Sequence, residues 1–206
     1  ILNGGMGFIV GMVGIANNFK TTILNGIILQ AMGRVFESCA LPEKKTQKKL
    51  THLSTSYSTY DTEVNIQESH LKILTKAIKA FFNRDIINER LWKITDKTVY
   101  WGNEWFEIFK DFLKYKRKNA DAYKVMTPFM DRDDVLPGVA PKQLSVLLPT
   151  FGLVDSLSEF QSEAEEKIMN ENELGDSGGN MLFMRGGMIK TRLLSELPAL
   201  TGGGYH

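Results

Sequence analysis

The sequence predicts an α/β domain built on a mostly parallel β-sheet with helices on both faces. Short apolar, β-branched runs bounded by glycine or polar residues read as buried strands. Longer segments between them carry apolar residues at helical spacing, and the order strand, helix, strand, helix, strand favours parallel pairing through crossovers.

Residues 8–14, Phe-Ile-Val-Gly-Met-Val-Gly, form the first such run and are expected to be a buried strand. From Lys20 to about Phe36 the pattern is helical and apolar nearly all round (Ile23, Leu24, Ile27, Ile28, Ala31, Val35), so this helix should be covered on most sides. Lys44, Lys45, Lys48 and Lys49 mark a loop after Pro42, read as a solvated connector with DNA contact as the alternative. Residues 52–61 read as a second strand ending in Tyr60-Asp61-Thr62-Glu63. Leu71, Leu74, Ile78, Phe81 and Phe82 define a helix, and residues 91–95 a third strand. Trp105, Ile108, Phe109 and Phe112 repeat at i, i+3, i+4 and i+7, giving an amphipathic helix whose aromatic stripe is core. Residues 114–148 break the rhythm and read as an irregular insertion with room for a hairpin. Residues 151–155 form another buried strand. A polar, acidic stretch over 162–176 follows, then a Gly- and Met-rich helix ending near Leu197, then a glycine loop from Thr201.

At 206 residues, with 43% hydrophobic and 24% charged residues, the chain suits one globular domain with a sizeable core. The formal net charge of +1 supplies no global basic field, so any nucleic-acid surface must be local. The lone Cys39 excludes an internal disulfide and a cysteine-based zinc cluster, and fits a reducing cytoplasm. No apolar run reaches the roughly 18 residues of a membrane span, so no membrane partner is expected. The start, Ile1-Leu2-Asn3, has neither an initiator Met nor the basic flank of a signal peptide, which reads as a piece of a longer protein, incomplete at both ends.

The chemistry sits first in Gly14-Ile15-Ala16-Asn17-Asn18-Phe19-Lys20-Thr21-Thr22. This matches the P-loop pattern G-x-x-x-x-G-K-[ST] except at Phe19, where the second glycine belongs. Phosphate binding needs backbone N–H groups pointing inward from a tight loop and a helix N-terminus behind them. Lys20 is expected to reach the β- and γ-phosphates of ATP, and the Thr21 hydroxyl to hold Mg²⁺. Phe19 must point its side chain away from the nucleotide and adopt a backbone conformation that glycine finds easier. The alternative is an ordinary strand-to-helix turn with an exposed lysine.

Hydrolysis also needs an acid for the metal and a base for the attacking water. Asp155 ends an apolar strand and is the metal candidate; Glu63 ends the second strand and is the catalytic candidate. In a parallel sheet both strand ends and the P-loop open onto one edge, where ligands bind. The alternatives are a helix N-cap for Asp155 and a surface carboxylate for Glu63.

These residues resemble the RecA recombinase family. Residues 2–7 (Leu-Asn-Gly-Gly-Met-Gly) are similar to its glycine-rich lead-in, Tyr60-Asp61-Thr62-Glu63 to the strand end with its catalytic glutamate, and Val154-Asp155-Ser156-Leu157 to its Walker-B segment. Gly175-Asp176-Ser177 followed by Arg185 and Arg192, seven apart, resembles the close of the family's first DNA-binding loop and the helix behind it. The Phe-Lys-Thr form of the P-loop is similar to that of T-even-type phage recombinases. The resemblance covers about residues 2–63 and 151–197; the 114–148 insertion departs from it, and the family's second DNA loop and sensor residue should lie past His206. It implies a RecA-like P-loop NTPase core and a Mg²⁺- and DNA-dependent ATPase of DNA recombination and repair. It also implies a homo-oligomer, filament or ring, on single-stranded DNA. An aromatic residue that stacks on adenine in the family puts His70 in that role, against a plain helix-surface histidine.

DNA contacts would come from Arg185, Arg192 and Lys167. The region 163–176 is otherwise acidic (Glu163, Glu165, Glu166, Glu171, Glu173). Both arginines fall on one helix face about 10 Å apart, a spacing that suits neighbouring phosphates; pairing with acids such as Glu196 is the alternative. Two other functions fit the same core: a hexameric replicative helicase-type motor, and a RecA-fold regulatory ATPase that binds protein rather than DNA.

Overall fold

The structure, a computed structural model, describes residues 9, 11–14, 19–39, 56–64, 66, 68–82, 86, 91–130, 138, 140, 142–171 and 178–201. Along the chain the elements are α1 (Lys20–Cys39), β1 (Ser56–Asp61), α2 (Glu68–Phe82), β2 (Trp92–Asp96), α3 (Gly102–Lys118) and α4 (Ala120–Tyr123). They continue as β3 (Lys124–Met130), β4 (Gln143–Leu147), β5 (Thr150–Asp155), α5 (Glu163–Glu171) and α6 (Gly178–Thr201).

The fold is α/β. Three parallel strands form the sheet in the order β2-β1-β5, with helices against it. The crossovers place β1 in the middle, which explains why a strand of Ser, Thr and Tyr (Ser56–Asp61) is nearly all buried. Its alternation divides the core. Tyr57 faces α1 and α2, packing with Leu29, Met32, Trp92 and Leu153. Tyr60 faces α3 and α6, packing with Trp105, Phe106, Phe160 and Leu193. The hydroxyls that a hydrophobic strand would lack are satisfied: Trp92 Nε1 donates to Thr59 Oγ1 at 2.9 Å, and Tyr60 donates to the Tyr100 carbonyl at 2.8 Å. Burial pushes the Tyr57 phenol up and, with the neighbouring Asp96 carboxylate, pushes Tyr60 up to about 12. Both therefore stay neutral donors.

Two glycines set the spacing on the α3 face. A Cβ on Gly152 of β5 would meet Phe109 Cζ at 2.8 Å, and one on Gly102 would meet the Gln161 carbonyl oxygen at 2.9 Å. A methyl on Gly152 would displace the Phe109 ring, and one on Gly102 would force the start of α3 away from Gln161 and Phe160.

Four expectations need correction. Ile9 and Gly11–Gly14 are not in a strand, and Val13 is 99% exposed, so the predicted buried strand at 8–14 is not formed by its described residues. Gly11 within the run and Gly14 at its end weaken strand formation, and a short apolar run does not by itself distinguish strand from coil. The helix α1 is covered on one side only: Leu29, Met32 and Val35 are buried, whereas Ile23 and Ile27 are 47% and 56% exposed. The 114–148 segment is irregular only in part: α3 runs on to Lys118, while the antiparallel β3–β4 pair, with a register shift between Met126 and Met130, agrees with the hairpin the segment had room for. Within the expected loop 163–176, residues Glu163–Glu171 are helical as α5. Ser162 and Glu165 form a reciprocal cap there: Ser162 N donates to Glu165 Oε2 at 2.7 Å and Glu165 N to Ser162 Oγ at 3.3 Å. The lysine loop at 41–50 lies outside the described residues. Among the described residues no helix is long and apolar enough to cross a membrane.

Candidate nucleotide site

The C-terminal ends of β1 and β5 and the N-terminus of α1 meet at one edge of the sheet. Asp61 and Asp155 are register partners on adjacent parallel strands, so both chains leave the sheet at the same level. Asp155 shares its face of β5 with Leu153, which packs against Leu29 of α1. This parity aims the Asp155 carboxylate at the start of α1, where the Thr21 hydroxyl donates a hydrogen bond to Asp155 Oδ2. The two residues assigned to Mg²⁺ from sequence, 134 positions apart, are thus in direct contact.

Thr21 is held from below. Asn25 Nδ2 donates to the Thr21 carbonyl at 2.8 Å, and Tyr57 of β1 donates to Asn25 Oδ1 at 2.5 Å, with Asn25 only 2% exposed. The sheet therefore fixes the first turn of α1 through a buried amide. Asp155 is held from the side. Thr62, itself 2% exposed, donates from both its N–H (2.7 Å) and its hydroxyl (2.9 Å) to the Asp155 carbonyl, and its hydroxyl accepts from Ser156 N at 2.6 Å. The Asp155–Ser156 peptide bond is cis.

Around α1 the phosphate-loop residues divide. Lys20 opens the helix and its Nζ donates to the Gly14 carbonyl at 3.1 Å, closing the loop on itself. Gly14 is exposed, and Thr22 is part-buried in the first helical turn. Ile15, Ala16, Asn17 and Asn18 lie outside the described residues. Phe19 carries the first helical bond, accepting from Ile23 N at 2.9 Å, and it has φ +55° with its ring 75% exposed. The expectation of a glycine-like backbone at this position is met, and the residue is exposed. The first turn of α1 holds no acid of its own, and the carboxylate described at this helix start is that of Asp155, bonded by Thr21.

Glu63 is exposed, one residue beyond Thr62, and accepts a hydrogen bond from Ser156 Oγ at 3.5 Å. Val64 next to it has φ +56°, a costly conformation for a β-branched residue. Asp61, the other acid of this strand end, is structural: it is buried, and its two oxygens accept from Glu63 N (3.2 Å) and Ile66 N (2.8 Å), folding the turn that presents Glu63. Among the described residues, the two non-glycine positive-φ positions, Phe19 and Val64, directly flank Lys20 and Glu63.

The oxygens of Thr21 and Asp155 fit Mg²⁺, a hard cation that takes one or two protein oxygens together with phosphate oxygens. His70 lies in α2, with its side chain outside the described residues, as is that of Arg185 in α6. Arg192 is described and is engaged: Nε donates to Glu196 at 2.8 Å and Nη2 to Glu107 at 3.1 Å, and Lys110 bridges the same two acids at 3.0 and 2.5 Å. The Arg192 guanidinium, then Lys110, hold the Glu196 carboxyl below its usual range. Lys167 is exposed and pairs with Glu163 one turn earlier at 2.7 Å.

Thr62, Asn25, Tyr57 and Ser156 were not found from sequence. Thr62 sits inside the Tyr-Asp-Thr-Glu strand end, and its place between the two acids was the available signal. No family model matches this chain, and no curated protein or solved structure is significantly similar to it.

Proposed function

We propose that this chain is a P-loop nucleotide hydrolase. More particularly, it is the Mg²⁺-dependent ATPase core of a RecA-like recombination and repair protein that acts on single-stranded DNA as a homo-oligomer. The observation that carries the nucleotide reading is the Thr21–Asp155 hydrogen bond, which unites the helix start and the strand end assigned to one metal ion. The adjacency of Lys20, and the positive-φ non-glycine residues that among the described residues stand beside Lys20 and Glu63, support it.

In this reading Lys20 and the first-turn N–H groups of α1 bind the phosphates, with residues 14–19 wrapping them. Thr21 and Asp155 hold Mg²⁺, which neutralises charge on the phosphate oxygens when bound. Glu63 orients the attacking water from across the edge. His70 is assigned to the adenine side, and Arg185 and Lys167 to the DNA backbone. The DNA part rests on the sequence resemblance.

A second reading, a RecA-fold ATPase that binds protein, is favoured by α6 itself. Its outer face exposes Met184 and Met188 (67% and 68%) around an open groove of about 490 Å³, and Arg192 in that groove is neutralised by two acids. The test is steady-state ATP turnover with and without Mg²⁺ and single-stranded DNA, comparing the unaltered protein with Glu63→Gln. A water-orienting group acts in the transition state, so Glu63→Gln should lower kcat by roughly 100-fold while leaving ATP affinity within a few-fold. Normal turnover by Glu63→Gln would remove Glu63 from the reaction. Turnover indifferent to DNA would favour the protein-binding reading.

A further inference from the structure

The geometry points to a hydrogen-bonded relay from α6 to Glu63, through Lys190, Ser158 and Ser156, that fixes the water-orienting carboxylate; Ser158 and Lys190 are positioning residues for hydrolysis. The inference rests on the ATPase reading above. Lys190 Nζ donates to the Ser158 carbonyl at 2.7 Å, the Ser158 and Ser156 hydroxyls are 2.6 Å apart, and Ser156 Oγ donates to Glu63 Oε1 at 3.5 Å.

The direction of the chain follows from counting protons. A serine hydroxyl has one proton to give, and a carboxylate only accepts. If Ser156 gives its proton to Glu63, the proton between the two serines must come from Ser158. Every hydroxyl then points toward Glu63. The Ser156–Glu63 link is the long one, at the outer limit of a hydrogen bond.

Glu63 and Ser158 are both exposed. The loop carrying the serines is held by Thr62, which bonds Asp155 and Ser156, by Leu157 packed against the Tyr60–Trp105 core, and by the fully buried Phe160. Only the Lys190 ammonium, on the Ser158 carbonyl, ties the loop to α6 among the hydrogen bonds described for it. Removing the Ser158 hydroxyl therefore takes away one link of the chain without opening a cavity.

The experiment is ATP turnover over a range of Mg-ATP concentrations by the full chain, for the unaltered protein, Ser158→Ala, Ser158→Thr and Lys190→Met. A displaced carboxylate costs rate rather than binding, so Ser158→Ala and Lys190→Met should each lower kcat about tenfold with KM unchanged within about twofold. Ser158→Thr, which restores the hydroxyl, should restore kcat. An unchanged kcat in Ser158→Ala, or a loss appearing in KM alone, overturns the relay and leaves the ATPase reading standing. No turnover by the unaltered protein overturns that reading and the relay with it.

Discussion

Thr21 of α1 donates its hydroxyl proton to the carboxylate of Asp155, the last residue of β5, bridging 134 positions of sequence. Neither residue is positioned by its own element alone. Thr21 is fixed through Asn25 and Tyr57 of the central strand, and Asp155 through Thr62, the residue that follows that strand. β1 thus sets the distance between the two halves of the candidate metal site while contributing no ligand to it.

Phe19→Gly should stabilise the protein. The residue sits at φ +55° with its ring mostly in solvent, so glycine removes the left-handed penalty and loses little packing. The larger entropy of an unfolded glycine offsets part of the gain, leaving up to about 1 kcal/mol. Phe19→Ala keeps the strained backbone and should show no gain. Urea unfolding of the two variants decides it; Phe19→Gly less stable than Phe19→Ala would refute the strain.

Lys116 should make stability depend on alkaline pH. The residue is 5% exposed, its ammonium donates to the Leu148 carbonyl and to Thr150 Oγ1 at 2.8 Å, and burial lowers its pKa to about 7. Between about pH 7 and the ordinary lysine value of 10.5 the unfolded chain holds this proton and the folded chain has released it. Stability from this group therefore rises with pH across that window, by at most about 1.4 kcal/mol per pH unit. Lys116→Met should be more stable than the unaltered protein at pH 7 and should flatten the rise. Parallel stability–pH curves for the two proteins would contradict this.

Arg185 and Arg192 should differ in their effect on single-stranded DNA. Arg192 already has Glu107 and Glu196 as partners, so a phosphate must displace them. Arg185→Ala should weaken binding and reduce the salt slope by about 0.7, one phosphate's share on a single strand, with Arg192→Ala changing it less. The check is a DNA titration at several salt concentrations. Equal affinities and slopes for both variants and the unaltered protein would remove the DNA assignment.

The parallel sheet, and the edge that gathers Lys20, Thr21, Glu63 and Asp155, were legible because strand ends bearing acids recur at Asp61–Glu63 and Asp155, and because Lys20-Thr21 opens a long helix. Phe19 was legible too, since the loop pattern itself demands a glycine-like backbone at that position. The run at 8–14 misled because apolar, β-branched composition does not reveal whether a sheet neighbour exists. The helix at Glu163–Glu171 was hidden by attention to its acids, although Ser162-x-x-Glu165 is a helix-start signature. The Arg192–Glu196 pair follows from i,i+4 spacing. Glu107, the Thr62 clamp and the Ser158–Lys190 contact join distant segments, and no local spacing encodes them.

The most direct test of the phosphate site is calorimetric titration of ATP, with and without Mg²⁺, into the unaltered protein and Lys20→Ala. Lys20 begins α1 at the surface and its Nζ bonds the loop carbonyl of Gly14, so the substitution leaves both cores intact. Losing one charge-assisted contact to phosphate should weaken binding by more than roughly tenfold. The account predicts Mg²⁺-dependent ATP binding by the unaltered protein and its loss in a folded Lys20→Ala; equal ATP affinity in the two proteins would contradict it.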